Sequence, residues 1–204
     1  MSTIKTNQLA HTANGAATYT LPQTDGSAGQ VLQTNGSGVL SWVTLPTGGL
    51  SMQDSWHVSS ALDPAGGSND ITGTWARSNS THGYIGSAMT ESSGVFTFPS
   101  TGIYYVQITG GFFRTSSDSH GYTGFNILTA TDGSSFSNKQ GNYSAIPGLS
   151  GTTYSIATAS YTFDVTSTST HKVKFQTVVE GSGTSVLESN NRKLNVEFTK
   201  LGET

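Results

Sequence analysis

Side chains capable of acid–base, nucleophilic or metal chemistry are sparse in this 204-residue chain: twelve Asp and Glu, five His and no Cys. Without cysteine there is no disulfide, no zinc–thiolate site and no thiol nucleophile. His11, His57, His82, His120 and His171 show no H-x-x-x-H or similar ligand spacing, so they read as isolated surface or turn residues and predict no structural zinc. Asp118-Ser119-His120 brings together the residue types of a hydrolytic triad, but no G-x-S-x-G elbow accompanies them, and loop chemistry is the expectation. Glycan cleavage needs two carboxylates at a set separation. Here Asp54, Asp63, Asp70, Asp118, Asp132 and Asp164 stand singly. The chain is therefore expected to be non-enzymatic, with no cofactor and no metal; Asp132-Gly133 reads as a hairpin turn rather than a calcium site.

Binding is the better prospect. Gly110–Tyr122 carries Phe112, Phe113, Arg114, His120 and Tyr122 around a polar centre, and aromatic faces beside hydroxyl and amide groups suit a neutral sugar ring. The competing reading makes Phe112 and Phe113 the end of a core strand. A second loop, Ser134–Leu149, with Phe136, Lys139, Tyr143 and Ile146, is a comparable candidate, and both stay open. The N-x-S/T triplets at Asn35, Asn79 and Asn142 are near chance in a chain so rich in Ser and Thr.

Composition narrows the partners. Only 10% of residues are charged, 9 Lys and Arg against 12 Asp and Glu for a net charge of −3, so Ser, Thr, Asn, Gln and 25 Gly supply the polarity. Nucleic acid, which needs a basic face to displace counterions, is not an expected partner. Lys172, Lys174, Arg192 and Lys193 lie among Glu180, Glu188 and Glu197 in a mixed, solvated set. Nine Phe, eight Tyr and three Trp with low net charge argue for a folded chain. The amino-terminal residues lack the apolar core of a secretory signal, and the longest apolar run, Ile103–Val106, is far short of a bilayer span, so no membrane insertion is expected.

The elements that must carry these residues alternate with period two. Runs at Asp54–Ser59, Gly83–Met89, Gly94–Phe98, Gly102–Thr109, Gly121–Ala130, Thr152–Ala157, Ala159–Val165, His171–Val179, Thr184–Ser189 and Lys193–Leu201 predict strands separated by Gly-, Ser- and Asn-rich turns. One face of these runs gathers Phe96, Phe98, Tyr104, Val106, Phe163, Phe175, Val196 and Phe198 as a core. Ile103, Tyr105 and Gln107 fall on the opposite face, so one strand is apolar on both sides and calls for a second partner, most simply another copy of the chain. The pattern predicts an all-β protein: a short extended or meander segment over residues 1–49, then an antiparallel jelly-roll β-sandwich over 50–204. In the first segment Gln23–Gly29 is echoed at Gln33–Gly38, with Asp-Gly and Asn-Gly turns around Gln30-Val31-Leu32. That segment is too small to bury Leu21, Val31, Leu32, Leu40 and Trp42 alone; three copies could bury them along a common axis.

Two stretches carry resemblances. Gly94-Val95-Phe96-Thr97-Phe98-Pro99-Ser100-Thr101-Gly102-Ile103-Tyr104-Tyr105-Val106 resembles the G-x-F-x-x-P-x-x-G-x-Y-x-F signature of complement-type globular heads, with Val106 where that family has an aromatic. The resemblance implies the trimeric jelly roll shared with tumour-necrosis-factor-like proteins. Thr20–Trp42 is similar to the L-P-x-x-D-G-x-x-G-Q-x-L-x-T-x-G-x-G-x-L-x-W segment of bacteriophage fibre and virion appendage proteins. Together they imply a homotrimeric tail fibre or appendage of the virion, assembled in the host cytoplasm. Residues 1–49 would then attach it to other virion proteins, and the head would contact a host receptor or glycan. Alternatives are a capsid-bound head fibre or decoration protein, a glycan depolymerase and a secreted lectin-like module.

Overall fold

The computed structural model describes residues 6–10, 18–45, 49–72, 75–77, 84–115, 120–186 and 194–204. His11, His82, Asn79, Asp118, Ser119, Glu188, Arg192 and Lys193, together with Pro46–Gly48 of the linker, lie outside them. Backbone contacts divide the chain into units Met1–Gly49 and Leu50–Thr204.

The first unit holds two hairpins. β1 (Gln8–Ala10) pairs with β2 (Thr18–Thr20), and β3 (Gln30–Thr34) with β4 (Leu40–Thr44). The Asn35–Gly38 turn closes the second hairpin, and the Asn35 side chain accepts the backbone N–H groups of Ser37 and Val39 at 2.8 and 3.1 Å. The Asp25-Gly26 stretch forms no hairpin. Instead Trp42 lies against Gly26 and donates its indole N–H to the Thr24 carbonyl at 2.9 Å.

The second unit runs β5 (Gln53–Val58), β6 (Gly67–Asp70), β7 (Trp75–Arg77), β8 (Tyr84–Ile85), β9 (Thr90–Ser92), β10 (Val95–Thr97), β11 (Gly102–Arg114), β12 (His120–Ala130), β13 (Ser137–Ile146), β14 (Thr153–Val165), β15 (Lys172–Val179), β16 (Ser185–Val186) and β17 (Leu194–Gly202). One sheet has the order β14-β11-β17-β5-β7, with β16 on β11 and β8 on β5; the other has β13-β12-β15-β10-β9, with β6 on β15. The chain crosses between sheets at β5–β6, β6–β7, β8–β9, β10–β11, β11–β12, β13–β14, β14–β15 and after β15, and every strand pair is antiparallel. This is a jelly-roll sandwich.

Alternation builds the core. Even-numbered residues of β11 from Tyr104 to Phe112 are buried, and Phe96, Phe98, Val106, Phe163, Phe175, Val196 and Phe198 join them between the sheets. Aromatic edges meet faces, as in Trp56–Phe96 at 5.4 Å and Trp75–Phe96 at 5.3 Å. Such pairs add about 0.5–1.5 kcal/mol each beyond area burial. Asp54 is a charged exception at the sheet margin. Its buried carboxylate accepts from Trp56 Nε1 at 3.1 Å, Arg77 Nε at 3.1 Å and the Met89 backbone N–H at 2.9 Å. The Arg77 guanidinium also sits over the Trp56 ring at 4.5 Å, so one ion pair fixes β5, β7 and the approach to β9.

The glycine that opens the Phe96 motif has a physical role. Ser93 and Gly94 form a two-residue turn between β9 and β10 with φ of 52° and 82°, and a Cβ on Gly94 would lie 2.5 Å from the Ile71 carbonyl oxygen. At one flank of the sandwich the edge strands β13 and β14 of the two sheets are laced together. Asn142 Nδ2 donates to the Thr158 carbonyl at 2.6 Å, and the Ser144 and Ser155 hydroxyls meet.

The strands differ in places from the sequence pattern. Thr152–Ala157 and Ala159–Val165 are one continuous strand, β14. Ser134–Leu149 is mostly strand β13 and not a loop, and β6, β7 and β9 lie in stretches that show no alternation.

Candidate functional site

The two segments singled out for binding are rebuilt by the fold. β11 continues to Arg114 and β12 starts at His120, so the strand parity that buries Tyr104 also buries Phe112, whose ring packs on Phe125 with centroids 4.8 Å apart. Phe112 is thus a core residue, removed from any binding surface. Arg114 and His120 are also buried, not displayed: the guanidinium meets His120 Nε2, His120 Nδ1 shares a hydrogen bond with Thr184 Oγ1 at 2.8 Å, and Arg114 reaches the Ser182 carbonyl at 3.5 Å. They tie the turn after β15 to the ends of β11 and β12. Phe113 points to the other side of β11, half-buried near Tyr154 with centroids 6.4 Å apart.

Tyr122 and Tyr143 are brought together on the outer face of the β12–β13 pair, 41% and 47% exposed, with ring centroids 6.4 Å apart at 69°. Tyr143 can lie flat there because its cross-strand partner, Gly124, and the residue two before it on its own strand, Gly141, are glycines. A Cβ on Gly124 would stand 2.7 Å from the Tyr143 ring, and one on Gly141 2.5 Å from its hydroxyl. From that hydroxyl a chain of hydrogen bonds crosses four strands. Tyr143 donates to Asn126 Oδ1 at 2.6 Å, Asn126 Nδ2 to Gln176 Oε1 at 3.4 Å, and Gln176 Nε2 to Asp70 Oδ1 at 2.7 Å. Lys174 Nζ closes it on Asp70 Oδ2 at 2.7 Å while lying over the Phe136 ring at 4.9 Å. Partial burial pushes the Asp70 carboxyl up, but the hydrogen bonds from Lys174 and Gln176 and the lysine charge outweigh it and hold it below its usual value. The face carries this ion pair and a row of amides, and Lys172, further along β15, turns its ammonium to Thr97 Oγ1 and the Thr168 carbonyl, each at 3.0 Å.

Asp70 also lines a cleft of about 420 Å³, bounded by Leu62, Asp63, Pro64, Asn69 and Thr177. Sequence reasoning treated Asp70 as a lone carboxylate and did not single out Asn126 or Gln176. The one signal available was the outward parity of Lys174 and Gln176 opposite Val173 and Phe175.

The remaining sequence-predicted positions fall elsewhere. Ile103, Tyr105 and Gln107 are half-buried on the outer face of β11 in the other sheet, where Gln107 Nε2 donates to the Tyr105 hydroxyl at 2.9 Å. Tyr154 and Ile156 of neighbouring β14 extend that face, 61% and 72% exposed. In the first unit Val31 and Leu32 are exposed and Leu21 is half-buried, while Trp42 is committed to its own chain. Asp132 caps a turn by accepting the Ser134 and Ser135 N–H groups at 3.0 and 2.7 Å; bonds from Ser135 first and then Ser134 lower its carboxyl from 3.8 to about 2. Among the described residues no three His, Asp or Glu side chains gather to hold a metal ion.

No protein-family model matches the chain, and no curated protein matches it. Solved structures do. Eiger TNF from S. frugiperda superposes with a TM-score of 0.49 at 12% identity, over 74% of this chain and 93% of that one. Murine APRIL at pH 5.0 gives 0.48 at 11% identity, over 73% and 99%. The chain is similar as well to the PRD1 vertex protein P5, with a TM-score of 0.46 at 17% identity over 76% of this chain and 100% of that one.

Proposed function

We propose that this chain is a non-enzymatic bacteriophage virion protein that works as a homotrimer, with unit Leu50–Thr204 as a head contacting the host surface and unit Met1–Gly49 joining it to other virion proteins. The observation that carries the reading is the outer face of β11 and β14. Ile103, Tyr105 and Phe113 stand on a strand paired on both sides, and Tyr154 and Ile156 of the edge strand β14 extend them with little cover from their own chain. An apolar face of this kind is stabilised by association, and a second copy supplies the same surface chemistry. The resemblance of Thr20–Trp42 to phage fibre segments supports the virion setting, and the exposed Val31 and Leu32 of β3 offer contacts for neighbours there.

Light scattering on the purified full-length chain tests assembly first. The expected mass is three times 21.3 kDa, and Tyr105→Asp should lower it to that of one chain. A stable wild-type monomer withdraws both the trimer and the avidity that three weak sites would provide. Blocking of particle adsorption by the recombinant head tests host contact; labelling of the capsid without blocking would favour the decoration-protein reading.

A further inference from the structure

We infer that the outer face of β12, β13, β15 and β6, with the cleft beside Asp70, is a binding site for a neutral oligosaccharide. The inference rests on the host-contacting role proposed above and names the ligand class and the residues. Tyr122 and Tyr143 present adjoining exposed rings, the surface on which the C–H face of a pyranose stacks. The half-buried amide of Gln176 and the exposed carboxylate of Asp70 follow in a row, and the Asn126 amide, buried beneath the face, ties them to Tyr143 while Lys174 holds Asp70 from the other side. Side chains already fixed in place lose little rotamer freedom when a ligand arrives.

Charge selects among ligands. Lys174 is compensated by Asp70 at 2.7 Å, and the described residues lining the cleft include no Lys or Arg, so a phosphate- or carboxylate-bearing ligand finds no cation in the cleft to pair with. An apolar peptide would take the Gln176 amide and the Asp70 carboxylate out of water without giving them a new partner. A neutral sugar offers C–H faces to the tyrosines and hydroxyls, which both donate and accept, to the Gln176 amide and the carboxylate. Three strand spacings separate β13 from β6, roughly 14 Å in all, the reach of a short oligosaccharide rather than one ring. The cleft gives a terminal unit a concave seat of about 420 Å³, within the size range of small-ligand sites.

Calorimetric titration of the full-length protein with maltotriose, mannotriose and chitotriose, and with sialyllactose as an acidic comparator, tests the site. At least one neutral trisaccharide is expected to bind, and Tyr122→Ala to weaken it about tenfold with native mass and unfolding midpoint unchanged. Asp70→Asn, which keeps the side chain's shape, should weaken it as well, whereas Glu197→Gln on the other sheet should not. Silence from all three neutral sugars, binding of sialyllactose alone, or affinity untouched by Tyr122→Ala and Asp70→Asn would each overturn the assignment. Native mass on the same samples separates the two readings: a trimer that binds no sugar retires this site alone, and a monomer that binds retires the assembly alone.

Discussion

At the scale of single residues, the most consequential charge in unit Leu50–Thr204 is a fully buried one. Asp54 is fully buried and satisfied by Trp56, Arg77 and the Met89 backbone, and Arg77 in turn donates to the Met89 carbonyl at 2.8 Å. Removing the carboxylate leaves the buried Trp56 and Met89 N–H groups without an acceptor, while the partly exposed Arg77 keeps the Met89 carbonyl. Asp54→Ala is expected to cost about 3–5 kcal/mol, read as a lowered urea midpoint with unchanged slope; a loss under about 1 kcal/mol would mean that water reaches the site. The Lys174–Asp70 pair, by contrast, is partly exposed and contributes little to folding, consistent with a role in holding side chains rather than strands.

Among the elements, β13 shows how a strand can exist without a hydrophobic pattern. Its sequence, Ser-Asn-Lys-Gln-Gly-Asn-Tyr-Ser-Ala-Ile, is mostly exposed, and it is held by the backbone ladder to β12 and by the seam with β14. Gly124→Ala is expected to unpair it, because the new Cβ would fall 2.0 Å from the Asn142 carbonyl oxygen. Hydrogen exchange should then rise across residues 137–146 while β11 and β17 stay protected; uniform protection would show that the ladder can shift to accommodate the methyl. The same strand marks where sequence reading stops. Alternation made the buried set from Phe96 to Phe198 legible, since a sandwich interior demands apolar residues on one face. It could not place β13 or β6, whose polar residues satisfy either loop or edge strand. It left Phe112 open between a binding loop and the end of a core strand, and put Arg114 and His120 in the loop because a charged residue on the inward parity looks like a strand end, whereas the Arg114–His120 pairing keeps both inside. Tyr122 and Tyr143 could be named but not placed side by side, and Asn126, Gln176 and Asp70 could not be aligned at all, because cross-strand register is absent from a single chain's period.

For the molecule as a whole, the core residues from Met52 to Phe198 all belong to the second unit. A chain beginning at Leu50 is therefore expected to unfold cooperatively with a midpoint within a few degrees of the full-length protein's in calorimetry; a broad, non-cooperative transition would show that the first unit supplies part of the fold. The seam between β13 and β14 has a further consequence for the assembly proposed above. An open sandwich offers two bare strand edges on each flank, and neighbours at high local concentration can fuse through them into continuous sheets. Here the carbonyl of Thr158 is already occupied by Asn142 and the hydroxyls of Ser144 and Ser155 by each other. That stretch of the flank is a zipped hem, its groups already paired within the chain and not open to a strand from a neighbouring copy.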